Sequence, residues 1–139
     1  MPDEGGLKGG GLPGAGELGG GDEETQTMAA KYVHEGISID YTPTADVAAG
    51  HVVVQGELVG VARLDIRANT LGALAVAGVF DFPKVTGGGS AIAVGAKCYW
   101  DDTNDVATTN DGAGANKYVG KAVKAAGDSD ASVRVRMSQ

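Results

Sequence analysis

Apolar and polar residues alternate along most of this chain with a period of two, and no window of 11 or more residues holds a helical period. The longest alternation is Leu74, Val76, Gly78, Phe80 and Phe82, ended by Pro83, which removes a ladder donor. It predicts one half-buried strand through the middle of the chain. Phe80 and Phe82, the only phenylalanines, are expected at the centre of the core. Gly87-Gly88-Gly89-Ser90 makes a flexible connection, and residues 90–94 have room for a single helical turn. A second strand follows from Lys97 to Trp100, with Cys98 and Trp100 on its inner face and Asp101-Asp102 as turn residues.

The flanks read the same way. Tyr32-Val33-His34 is a short strand candidate broken by Gly36, and Ile37, Ile39 and Tyr41 alternate with Ser38 and Asp40 up to Thr42-Pro43. His51 to Gln55 is a buried strand, Gly56-Glu57 a tight turn, and Leu58 to Ile66 a further apolar run. Asn104-Asp105 turns the chain again before a short strand over residues 106–109, and residues 110–114 form a loop. Residues 117–124 alternate. Residues 132–137 place Val133, Val135 and Met137 inward and Arg134 and Arg136 outward. The expected fold class is all-β: a small β-sandwich or partly open barrel of about eight or nine short strands.

Charge and glycine divide this pattern in two. Of the 139 residues, 24 are glycine, and ten of those fall in residues 1–27 with six acids and one lysine. That segment carries a net charge of −5 out of the chain's −7, leaving −2 for residues 28–139. Two regions are therefore expected: a Gly-rich acidic arm, 1–27, with no fold of its own, and a β-rich domain, 28–139. Leu7, Leu12 and Leu18 are the arm's only large aliphatics. Two readings fit it, a disordered linker or an extended arm that orders on a neighbouring subunit, with these leucines in shallow apolar pockets and Asp22, Glu23 and Glu24 on a basic strip. Met28-Ala29-Ala30 resembles a protein start, which would make the arm an upstream extension.

The acidic balance argues against nucleic acid or an anionic membrane as partner. No apolar run reaches the length of a membrane span, and the N-terminal residues lack the basic-then-apolar order of a signal peptide. A single cysteine allows no disulfide within the chain and no Cys-rich metal site; Cys98 is expected as a small buried thiol. Alanine is abundant and large apolar side chains are few, so each buried position contributes little transfer energy, and association with further copies is expected.

Candidate chemistry is sparse. Residues 114–122 (GANKYVGKA) approach a phosphate-binding loop but have the wrong spacing and lie in a strand pattern. Asp101, Asp102, Asn104 and Asp105 lack the spacing and glycine of a calcium loop and read as a hairpin turn. His34 and His51 have no metal-ligand spacing, and Ser90 lacks a nucleophile elbow. The expectation is no enzyme, no cofactor and no metal. Arg134 and Arg136 form either a solvated face or an interface stripe.

Taken in order, several pieces resemble the small capsid cement, or head decoration, proteins of tailed bacteriophages. They are YVHEGISIDY (residues 32–41), LVGVA (58–62), GVFDFPK (78–84), IAVGAKCYWD (92–101), YVGKA (118–122) and ASVRVRM (131–137). The resemblance covers nearly all of residues 28–139. It implies a structural virion protein on the outer surface of the capsid that binds the major capsid protein and stabilises contacts between capsomers. Self-association as a trimer or dimer goes with it, and no catalytic residues are carried over. Candidate capsid or subunit contacts are Leu7, Leu12, Leu18, Arg134 and Arg136. The alternative from another class is a β-sandwich surface module binding carbohydrate or a host-surface ligand, which calls for several exposed aromatics.

Overall fold

The computed structural model describes residues 29–139. Residues 29–34 carry no helix or strand and are exposed, so the strand expected at Tyr32-Val33-His34 does not form. Glu35–Gln139 is a unit of its own. Its strands are β1 (Ser38–Tyr41), β2 (Val52–Gln55), β3 (Leu58–Val61), β4 (Gly72–Ala75) and β5 (Gly78–Pro83), then β6 (Lys97–Asp101), β7 (Val106–Thr108), β8 (Lys117–Ala122) and β9 (Ser132–Met137). All ladders are antiparallel and fall into two sheets, ordered β1-β4-β3-β2 and β5-β9-β8-β6-β7. The result is sandwich-like and all-β, as the alternation predicts, with no closed barrel among the described residues. The only helical piece there is a 3₁₀ turn at Gly112–Gly114, and residues 90–94 form none.

The long central alternation is not one strand. It divides into β4, inside the four-stranded sheet, and β5, at the edge of the five-stranded one. Gly78 makes the break with φ of 118°, a left-handed backbone that rotates the chain out of the first sheet. Pro83 is tolerated because β5 is an edge strand, laddered among the described residues with β9 alone. Phe82 is 1% exposed and Trp100 2%, with ring centroids 6.0 Å apart, while Phe80 is half-buried at the margin. The apolar run after Leu58 also leaves its sheet early. Ala62 donates its N–H to the His51 carbonyl, and Ile66 then forms an isolated antiparallel bridge to Val47.

The two sheets repeat one another. In each, the first strand lies at one edge beside the fourth, then the third, then the second: β1-β4-β3-β2 and β5-β9-β8-β6. The bridge Val47–Ile66 corresponds to Ile92–Ala126. The bond from Gly50 N–H to Ala62 O corresponds to that from Gly95 N–H to Ala122 O, and the glycines share φ values of 88° and 84°. Register then pairs Ile39-Asp40-Tyr41 with Phe80-Asp81-Phe82, opposite Leu74-Ala73-Gly72 and Val135-Arg134-Val133 respectively. Buried positions follow suit: Val59 with Val119, Ala62 with Ala122, Ile66 with Ala126, and Leu74 with Val135. The fifth strand, β7, is an addition to the second repeat alone.

The larger of the two buried clusters centres on the second repeat, with Phe82, Ile92, Cys98, Trp100, Val133 and Val135, and also takes in Val52, Val59 and Val61. Gln139 ties the sheets together: its side-chain oxygen accepts from Val59 N–H at 2.7 Å and its amide nitrogen donates to the Val59 carbonyl. Lys84, 3% exposed, directs its ammonium at the Val85 carbonyl (2.7 Å), Ser90 Oγ (3.3 Å) and the Asp130 carbonyl (3.4 Å). A buried cation held by oxygens in this way pins the exit of β5.

Two substitutions test the packing. A Cβ on Gly120 would lie 1.9 Å from the Arg136 carbonyl oxygen, so Gly120→Ala must push β9 off β8. It is expected to cost about 3 kcal/mol. Trp100→Ala is expected to cost about 3–5 kcal/mol, as for a buried aromatic. Urea denaturation reads both, and an unchanged midpoint for either contradicts the packing described.

Candidate functional site

Strand alternation dictates the surface chemistry of the five-stranded sheet. β9 sends Val133, Val135 and Met137 into the core, so Arg134 and Arg136 stand on the opposite, exposed face. Arg136 is the register partner of Val79 on β5 and of Lys121 on β8, and Lys121 is the partner of Lys97 on β6. One cross-strand row therefore reads Val79, Arg136, Lys121, Lys97, and all four positions are exposed. Among the described residues none of these three cations has an ion-pair partner. Like charges directly opposite one another across strands destabilise a sheet. The fold therefore gains nothing from this row.

Arg134, one row away, is neutralised. Its guanidinium donates to both carboxylate oxygens of Asp81, Nε to Oδ1 at 2.9 Å and Nη2 to Oδ2 at 3.1 Å. This hydrogen bonding holds the Asp81 carboxyl below its ordinary range, with added attraction from Arg134 and Lys124, and raises Arg134. Of the two arginines singled out in the sequence, Arg134 is ion-paired within the chain and Arg136, among the described residues, is not. Lys97 and Lys121 complete the row and were missed, because their approach depends on register and not on spacing along the chain. Leu7, Leu12 and Leu18 lie outside the described residues.

The remaining sequence candidates have structural roles. Asp101 closes its own turn, accepting from Thr103 N–H and Asn104 N–H through Oδ1 and from Asn104 Nδ2 through Oδ2. These bonds, the Asn104 side chain foremost, lower its pKa. Residues 117–122 are strand β8, not a phosphate loop. Cys98 is a buried free thiol, and burial pushes its pKa up. Trp100 donates its indole N–H to Asp102 Oδ1 from inside the core, so it offers no stacking platform to a sugar. Among the described residues no cluster of three or more His, Cys, Asp or Glu side chains is placed to hold a metal, and no helix is long and apolar enough to cross a membrane.

A family model described as phage cement protein matches residues 33–137, most of the chain. No curated protein and no solved structure matches it.

The Asp81–Arg134 pair sets a pH expectation. A carboxyl whose folded pKa is depressed contributes stability above its unfolded pKa, and that contribution is lost as pH falls through the folded value. In Arg134→Gln the Asp81 titration midpoint, followed by NMR of its carboxyl carbon, is expected to rise toward the ordinary aspartate range. The stability difference between the two proteins is expected at neutral pH and to vanish in acid. An unmoved midpoint contradicts the pairing.

Proposed function

This chain belongs to the phage cement protein family, whose members are structural, non-enzymatic, capsid-stabilising proteins, and on that footing we propose that it binds the outer surface of a tailed-phage head and strengthens contacts between capsomers. The major capsid protein is its partner in this reading, and the chain works in many copies, as a trimer or dimer. Residues 1–27 reach along a neighbouring subunit, with Leu7, Leu12 and Leu18 as contacts. The observation that carries the contact surface is the row Arg136, Lys121 and Lys97, exposed and without an anion among the described residues. Such a row costs the isolated sheet stability and becomes favourable against an acidic surface. Each contact is small, and many copies sum.

Glutamine at all three positions removes the charge and keeps the stems. Lys97→Gln/Lys121→Gln/Arg136→Gln is expected to fold with equal or slightly raised thermal stability, since the like-charge contacts are gone. Retention on heads lacking the native protein is expected to fall about tenfold at low salt, at about 0.5 kcal/mol for each exposed charge. Its retention is also expected to depend less on salt than that of the native chain. Equal retention of the two proteins at every salt concentration rejects this face as the contact. Deleting residues 1–27 is expected to weaken retention as well, and tight binding by the truncated chain makes the segment a linker.

A further inference from the structure

The two repeats differ at one position in a way that opens a groove. In the second repeat, Arg134 crosses the strand to Asp81, and the hollow beside them encloses about 260 Å³. In the first repeat Asp40 holds the place of Asp81, but Ala73 stands where Arg134 does. No side chain from β4 crosses, and the corresponding hollow is larger, about 670 Å³, lined by Ser38, Arg63, Leu64, Arg67, Leu71 and Ala73 among others. Leu64 and Leu71 are 78% and 69% exposed at its walls. Among the described residues neither Arg63 nor Arg67 has an ion-pair partner. The groove is thus apolar along much of its floor and walls, and its rim carries two cations, Arg63 and Arg67, against one carboxylate, Asp65, whose Oδ1 accepts from Ala49 N–H, while the fold fills the equivalent place with a side chain of its own.

We propose that this groove seats Glu17-Leu18 of a neighbouring copy, an assignment that rests on the reading of residues 1–27 as an arm. Leu18 covers Ala73 between Leu64 and Leu71, and the Glu17 carboxylate pairs with the arginines at the rim. Charge complementarity selects this dipeptide among the three leucines. Leu7 is followed by Lys8, which the arginines repel, and Leu12 has glycine and proline for neighbours. Leu18 alone follows a carboxylate, with Asp22, Glu23 and Glu24 close behind. From Leu18 to Ala29 an extended chain spans up to about 40 Å, enough to reach an adjoining subunit.

The test uses full-length chains. Leu18→Cys protein and Ser38→Cys protein, each otherwise native, are mixed and mildly oxidised, free and on heads. Ser38 borders the groove and is exposed, and Cys98 is buried and does not compete. A disulfide-linked heterodimer is expected, at least fivefold more abundant than with Leu7→Cys or Leu12→Cys. Adding Ala73→Arg to the Ser38→Cys chain installs the side chain that closes the groove in the second repeat. It is expected to abolish the cross-link while leaving the melting temperature within a few degrees. No cross-link in either setting, equal cross-linking from all three leucine positions, or a cross-link that survives Ala73→Arg in a folded protein overturns the assignment. If truncation of residues 1–27 weakens retention but no cross-link forms, the arm reading stands and this groove is not its seat. If truncation changes nothing, the arm reading itself fails.

Discussion

Everything in the larger sheet depends on how closely β9 lies against β8 at Gly120. A side chain there would overlap the Arg136 backbone, so glycine is required by contact and not by turn geometry. The first repeat has the same device in milder form: a Cβ on Gly60 would meet the Leu74 Cβ at 2.8 Å. In both repeats this glycine sits in the third strand, in a Val-Gly-x-Ala sequence whose alanine is buried. The close approach sets the register that places Arg136 beside Lys121, and hence the cation row. Scaffold and surface are linked through one missing methyl group.

The duplicated plan also explains why the two faces differ in chemistry. A doubled strand unit supplies equivalent positions, and substitution at those positions produces distinct surfaces. Ala75 in the first repeat stands where Arg136 does, Val61 where Lys121 does, and Val52 where Lys97 does. Those three are buried, and their counterparts are exposed cations. One repeat gives these positions to the core and the other exposes a cation at each of them. Ala73 and Arg134 diverge in the other sense, leaving a hollow in the first repeat and an internal ion pair in the second.

The strand content was legible because antiparallel strands with one wet face write their alternation into the sequence; residues 132–137 and 97–101 follow it closely. Parity alone could not see that Leu74 and Phe80 belong to different sheets, since the alternation runs unbroken through Gly78 while the backbone turns there. Nor could it see that the chain quits its sheet at Ala62, which depends on a bond to His51 eleven residues earlier. One of the three cations, Arg136, was visible, and the other two depended on register across three strands. The repeat left a trace in Ile39-Asp40-Tyr41 and Phe80-Asp81-Phe82, which is too short to find without the bridges that align it. No local pattern points to the groove, because it exists where a side chain is small.

On the proposed function this chain stabilises a capsid from outside, with the face of the five-stranded sheet that bears Lys97, Lys121 and Arg136 turned to the shell. An electron cryomicroscopy reconstruction of heads carrying the full-length protein tests it most directly. Density for the two sheets is expected on the outer surface where capsomers meet, with those three side chains against acidic residues of the shell or of an adjoining copy. Density within the shell's interior, or a bound domain with the three cations facing open solvent, contradicts it.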